Sequence, residues 1–239
     1  MNAEPILQVD DVRAGYGDLT VIWDLSLTLR RGRTTALLGR NGAGKTTLLS
    51  AIAGLLPLGH GRILFGGTDI SHASPWNRTR AGLAFVQEGK RVLRNLTVHE
   101  NLLLGLRKGP GKQESRDILE TAYDRFPALR DRRGAKTGTL SGGQQQMVAL
   151  ATAMVSRPSV LLIDEPSSGL APVVVDEVFR AVEQFKQDGT AVLLVEQLVD
   201  EVLSGYADDV VVLDQGKVAL SGVAGEIAAE EVLAGVHGR

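Results

Sequence analysis

The chain has 239 residues, 44% of them hydrophobic, with 26 Lys and Arg against 28 Asp and Glu, which is enough apolar content for a sizeable core and a length suited to one domain or one domain with an insertion. A net charge of −2 argues against a mainly electrostatic grip on nucleic acid or anionic lipid, and the absence of cysteine rules out disulfides and thiolate metal sites and suits a reducing compartment. No apolar run reaches the roughly 18 residues that a membrane span needs, and residues 1–11 lack the basic-then-apolar pattern of a secretory leader.

In chain order, residues 6–12 and 21–29 alternate with period two and read as strands. A short apolar strand at 35–38 runs straight into Gly39-Arg40-Asn41-Gly42-Ala43-Gly44-Lys45-Thr46-Thr47, and 48–55 continues as a helix. Further strands are expected at 62–65 and 83–86. From about 88 to 156 helical spacing takes over: Thr97 caps a helix running through Leu106, Gly109-Pro110-Gly111 breaks the chain, and 114–126 is helical. Strand runs return at 160–163 and 191–195, separated by a helix over 173–186 that stops at Asp188-Gly189. Residues 210–213 and 218–221 read as a hairpin joined through Asp214-Gln215-Gly216-Lys217, and 225–233 as a last helix. Short strands alternating with helices predict an α/β fold. The expected organisation is one domain over 1–239, with a β-rich N-terminal part, a core of 1–87 and 157–239, and a helical subdomain inserted at 88–156.

Gly39 to Thr46 fits G-x-x-x-x-G-K-[ST], the phosphate-binding loop. By background usage this pattern arises by chance in roughly one chain of this length in a hundred. A glycine-rich turn with an exposed lysine is the bland alternative, and the preceding strand and following helix weigh against it. Glycines let backbone N–H groups converge on phosphate oxygens, and the helix N-terminus adds partial positive charge. Lys45 is expected to reach the β- and γ-phosphates of ATP and Thr46 to ligate Mg²⁺. A second acidic site follows at Asp164-Glu165-Pro166, at the carboxyl end of the apolar run 160–163, where open α/β sheets place their ligands. Alone it reads as a solvated strand-to-loop turn; beside a phosphate loop, Asp164 is expected to orient Mg²⁺ and Glu165 to act as general base.

Between these motifs lies Leu140-Ser141-Gly142-Gly143-Gln144. Read locally, Ser141 caps a helix starting near Gln144. Read as a whole, it matches LSGGQ, and with the other two motifs the chain resembles the ATP-binding subunits of ABC transporters over nearly its whole length. The resemblance implies an ABC-type P-loop NTPase fold, ATP hydrolysis, and head-to-tail pairing with a second ABC ATPase subunit. In such pairs Ser141, Gly142, Gly143 and Gln144 meet the ATP held by the other subunit's phosphate loop. It also implies that Tyr16, in Ala14-Gly15-Tyr16-Gly17, stacks on adenine.

The segments Gly82 to Val86, Glu88 to Val92, Leu96-Thr97-Val98, Glu100-Asn101-Leu102, Ser168-Gly169-Leu170-Ala171-Pro172 and Leu194-Val195-Glu196-Gln197 resemble, more narrowly, the shorter F-type ATP-binding subunit of branched-chain amino acid importers. That likeness implies docking to transmembrane permease subunits at the cytoplasmic face of the membrane, and indirect work with a periplasmic or extracellular solute-binding protein, with no nucleic-acid partner. Urea or short amides, or another small solute, are the alternative cargoes, and a non-transport ABC ATPase is a more distant alternative.

Three departures from the general ABC pattern bear on mechanism. Gln197 stands where many cassettes have a histidine contacting the γ-phosphate; it can donate a hydrogen bond but carries no proton. Ala171 replaces a common aspartate after Gly169-Leu170. At the coupling loop, alignment on Gly82 to Val86 puts Glu88 at the usual glutamine position, whereas Gln87 is glutamine by identity; both carry an acceptor oxygen for Mg²⁺. The loop from Gln87 to Arg94, with Lys90, Arg91 and Arg94 and with Val92 and Leu93 expected to be exposed, is the candidate docking surface.

Overall fold

The computed structural model describes residues 4–89, 92–107, 111–197, 199 and 202–237. The elements are β1 Pro5–Tyr16, β2 Leu19–Arg30, β3 Thr34–Leu38, α1 Lys45–Ala53, β4 Leu58–Phe65, β5 Thr68–Asp69, α2 Pro75–Ala81, β6 Leu83–Val86, α3 Val98–Gly105, α4 Lys112–Arg125, α5 Pro127–Arg130, α6 Gly142–Val155, β7 Val160–Asp164, α7 Pro172–Gln187, β8 Ala191–Val195, β9 Asp209–Asp214, β10 Lys217–Val223 and α8 Ala229–His237. No helix of the described residues is long and apolar enough to cross a membrane.

One sheet has the order β10-β9-β3-β8-β7-β6; β9, β3, β8, β7 and β6 are mutually parallel and β10 pairs antiparallel with β9. Alternate residues of its strands feed two cores. Leu161, Ile163, Val192 and Leu194 join a cluster with the helices α3 to α7, while Leu162, Leu193 and Val195 join one with α1 and the second sheet. A parallel sheet is stable when both faces are covered, which is why residues 36–38 of β3, residues 160–163 of β7 and all of β8 are apolar and buried. The second sheet, β2-β1-β4-β5, is antiparallel and lies in the β-rich N-terminal part.

The structure departs from the sequence expectation in several places, among them the following. β1 and β2 run past 6–12 and 21–29, because register shifts between Pro5 and Leu7 and from Val12 to Gly15 break the alternation at the expected ends without ending the pairing. α2 was not expected: its seven residues carry no apolar period, although Ser74 caps it, Pro75 opens it and Gly82 ends it. The last helix starts at Ala229 after a 3-10 turn over Ala224–Glu226, placing buried Val232 and half-buried Leu233 and Val236 on the core. Of the expected chain break, Gly109 and Pro110 lie outside the described residues, as do Lys90 and Arg91 of the coupling loop.

Candidate functional site

β3, β6, β7 and β8 are parallel neighbours in the order β3-β8-β7-β6, so the loops leaving their carboxyl ends share one edge. The phosphate loop leaves β3, Gln87 and Glu88 leave β6, Asp164 and Glu165 close β7, and Glu196 and Gln197 leave β8. Sheet topology thus collects residues that lie far apart in sequence.

In the loop Gly39-Arg40-Asn41-Gly42-Ala43-Gly44, backbone room is the governing constraint. A Cβ on Gly39 (φ 152°) would lie 2.3 Å from the Leu213 carbonyl oxygen, and one on Gly44 (φ 107°) 2.7 Å from Ile22 Cδ1. Gly44 caps α1 in the left-handed conformation with no side-chain hydrogen bond, leaving the start of that helix, Lys45-Thr46-Thr47, without a side-chain acceptor for its N–H groups. Lys45 is only 5% exposed; its Nζ donates to the carbonyls of Gly39 (2.8 Å) and Arg40 (3.2 Å) and lies 3.9 Å from Glu165 Oε1. Burial lowers the pKa of its ammonium, and the charges of Glu165 and Asp164 work against that shift.

Asp164 is 2% exposed, and its Oδ1 is buried without a hydrogen-bond partner. Burial raises its pKa; a hydrogen bond from Thr46 opposes the rise, and the negative charges of Glu165 and Glu88 add to it. A buried acceptor lacking a donor, beside a hydroxyl and further carboxylates, suits a hard divalent cation. Among the described residues no group of three His, Cys, Asp or Glu is arranged to hold a metal alone; Mg²⁺ needs only one or two protein oxygens when phosphate and water supply the rest. The residues present therefore fit Mg²⁺. Glu88 is exposed and close enough to Asp164 to act on its charge, while half-buried Gln87 lines the groove described below.

Glu165 adopts a left-handed backbone (φ 43°), its N–H donating to the Val195 carbonyl at 3.0 Å. Gln197 Nε2 donates to Glu165 Oε2 at 2.7 Å. The structure thus brings together the phosphate loop, Thr46, Asp164, Glu165, Glu88 and Gln197.

Two expected pieces make no hydrogen bond to this cluster among the described residues. Tyr16 ends β1 and is 52% exposed. Ser141 to Gln144 open α6, and no hydrogen bond or ion pair among the described residues ties them to the cluster above. There the Ser141 hydroxyl accepts from Gln144 N at 3.2 Å and Ser141 N donates to Gln144 Oε1 at 3.1 Å, a reciprocal capping box. Gly143 lies against α7, where a Cβ would sit 2.6 Å from Val174 Cγ1. Gln145 Nε2 then donates to the carbonyls of Thr137 and Leu140, and Thr137 and Asn101 bond to the carbonyl of Leu93. A partly buried polar chain thereby runs from the start of α6 to Leu93.

That loop borders a groove of about 990 Å³ lined by Leu55, Trp76, Gln87, Leu93, Leu104 and Arg107 among others. Leu93 and Leu104 are 55% and 61% exposed. Val92, expected to be exposed, is instead half-buried against the core that contains α3 and α6. Both neighbours line the groove, and Leu93 is the more exposed of the two.

Comparison with known proteins agrees with this geometry. A family model described as "ABC transporter" matches residues 22–168. The chain belongs to the ABC transporter family of ATPases. It is 36% identical over 219 residues to the high-affinity branched-chain amino acid transport ATP-binding protein BraG of Pseudomonas aeruginosa, covering 90% of this chain and 91% of that one. It is 37% identical over 227 residues to a protein of Archaeoglobus fulgidus described as "Probable branched-chain amino acid transport ATP-binding protein LivF", covering 95% of each. Among solved structures, the ADP conformation of an ATP-binding cassette of an ABC transporter superposes with a TM-score of 0.84 at 27% identity, covering 97% of this cassette and 94% of that chain. Glu196 was not singled out as a site residue; the one signal was a carboxylate directly after the apolar run 191–195.

Proposed function

We propose that this cassette hydrolyses ATP with Mg²⁺ to energise import of branched-chain amino acids, attached to the cytoplasmic face of the membrane through permease subunits. The observation that carries the chemistry is the shared strand edge, where an unpartnered Asp164 oxygen, the buried Lys45 ammonium and the Glu165–Gln197 pair converge. The phosphate loop and the open N-terminus of α1 bind the phosphates, and Lys45 turns from the Gly39 and Arg40 carbonyls to phosphate oxygen. Thr46 and Asp164, with Glu88 adjacent, would hold Mg²⁺, which when bound would supply positive charge against that developing on the phosphates. Glu165 takes the proton of the attacking water as the water oxygen bonds to the γ-phosphorus and the bond to the bridging oxygen of ADP breaks. Gln197 orients Glu165 by its hydrogen bond and carries no proton itself. Tyr16 offers its exposed ring to adenine. Ser141 to Gln144 face the nucleotide of a second cassette, and residues 88–156 form the helical unit that docks the permease.

Identity of 36–37% to two branched-chain amino acid transport ATP-binding proteins supports the cargo. Exposed Leu93, Leu104, Leu55 and Trp76 around one groove support docking of a partner helix, since contiguous exposed apolar side chains mark an interaction face. In native membranes, a Leu93→Asp/Leu104→Asp chain is expected to keep its ATP affinity, move to the soluble fraction and lose uptake of labelled leucine. Retention on membranes with normal uptake overturns the docking assignment. Membrane loss without any change in leucine uptake overturns the cargo.

A further inference from the structure

Glu196 is a buried carboxylate that the hydrolysis scheme leaves unused. It is 2% exposed, and among the described residues no Lys, Arg or His ion-pairs with it. Its nearest charged influence is unfavourable: burial raises its pKa, hydrogen bonds from Ser167 and Gln197 pull it back down, and the negative charge of Glu165 raises it further. An anion buried beside another anion is costly to keep. A loop N–H that only needed satisfying could be met by a neutral hydroxyl or amide at lower cost.

Its contacts show where that cost is used. Oε1 accepts from Ser167 N at 3.0 Å, and Oε2 accepts from Ser167 Oγ at 2.7 Å and from Gln197 N at 3.3 Å. Both oxygens therefore grip one residue, two positions after Glu165, fixing its rotation as well as its place. Glu165 sits in a left-handed backbone (φ 43°), a conformation a non-glycine residue keeps only when its surroundings over-determine it. Three successive residues do so. The Val195 carbonyl accepts Glu165 N at 3.0 Å, the Glu196 carboxylate clamps Ser167, and the Gln197 amide meets the Glu165 carboxylate at 2.7 Å.

We propose that Glu196 is a positioning residue for ATP hydrolysis, its carboxylate locking the Glu165–Ser167 turn against Gln197 so that the Glu165 carboxylate is held on the attacking water. This rests on the reading of Glu165 as the base that accepts the water's proton. Glu196→Gln keeps the size of the side chain but presents an NH₂ group to a site where Ser167 and Gln197 already donate.

The test measures kcat and KM for ATP and the thermal midpoint of the assembled cassette for wild type, Glu196→Gln, Ser167→Ala, Ser167→Thr, Glu165→Gln and the Glu165→Gln/Glu196→Gln double variant. Glu196→Gln is expected to lower kcat by about tenfold or more, because small misplacements of a reacting group are costly, with KM within about twofold of wild type. Ser167→Ala changes kcat in the same direction by less, and Ser167→Thr, which keeps the hydroxyl, stays near wild type. In the Glu165→Gln background the Glu196 substitution adds no further loss, since there is no base left to misaim. Wild-type kcat in Glu196→Gln, or an equal fold-loss in both backgrounds, overturns the proposal. Should Glu196→Gln fail to fold, Ser167→Ala in the two backgrounds gives the same decision. Wild-type turnover in Glu165→Gln alone overturns the underlying role of Glu165, an outcome separate from either result at Glu196.

Discussion

Two helices of this cassette begin at motifs that the proposed function assigns to phosphate, and they begin differently. α1 starts at Gly44 with no side-chain cap, so the N–H groups of its first turn are unclaimed by any side chain. α6 starts at Ser141 with a complete capping box: its serine and its Gln144 satisfy each other, and Gln145 N donates to the Ser141 carbonyl. The first helix is an anion site by default, because its unpaired donors and dipole favour a negative group. The second meets two of its donors, Ser141 N and Gln144 N, within one chain. A phosphate reaching it from another subunit meets Ser141 already engaged and must compete with, or add to, that bond. On the function proposed above, one half of the composite site is built to bind, and the other completes what is bound elsewhere.

Breaking the first half is expected to give the largest effect. Lys45→Ala removes the one lysine that the phosphate loop holds beside Glu165. It should weaken ATP affinity by about two orders of magnitude, the scale of a lost charge-assisted hydrogen bond, and calorimetry on the isolated chain reads it. Wild-type affinity would remove the loop from nucleotide binding. The second half is expected to break differently. Ser141→Arg puts a bulky cation at an exposed helix start and should leave ATP affinity of the isolated chain within about twofold. Turnover of the assembled pair should fall by about two orders of magnitude, because the displaced loop no longer contributes fixed donors to the transition state. Loss of both quantities together would mean that Ser141 serves the chain's own nucleotide, and the contrast between the two helices would fail.

The same contrast explains what could be read from the residues alone. The phosphate loop, Asp164-Glu165 and the LSGGQ run were legible because each is a contiguous segment whose local backbone does the work. The alternation of strands and helices predicted an α/β fold for the same reason. What was not legible depends on pairing across sequence. Nothing local says that β8 inserts between β3 and β7, yet that order puts Gln197 on Glu165 and Glu196 on Ser167, 32 and 29 residues away. Val92 and Leu93 are alike by hydropathy, and only packing decides which is half-buried and which is exposed. β1 and β2 were read short because bulges erase the period on which the reading relies.

The smallest expected effect sharpens the comparison most, since it isolates the cap from the phosphate contact. Ser141→Ala removes the hydroxyl that accepts from Gln144 N at 3.2 Å and leaves that N–H at an exposed helix start, where water replaces it. Loss of a serine cap costs about 1 kcal/mol, and in a chain of this size that lowers the thermal midpoint by about 2–4 °C. Ser141→Thr keeps an accepting hydroxyl and should recover most of the loss. At α1 there is no side-chain cap to remove, and the corresponding change is of another kind. Gly44→Ala forces a Cβ to within 2.7 Å of Ile22 Cδ1 at φ 107°, so it destabilises by strain that no threonine or serine relieves. Differential scanning calorimetry of the three variants, each with and without ATP, separates the cases. The ATP-induced rise in midpoint should survive Ser141→Ala unchanged, because the cap lies outside the chain's own nucleotide site, and should shrink in Gly44→Ala, because the added Cβ displaces the loop that cradles phosphate. An unchanged midpoint in Ser141→Ala would mean that the capping box contributes nothing to holding α6, leaving its serine free for the nucleotide of the other subunit at no cost to the fold.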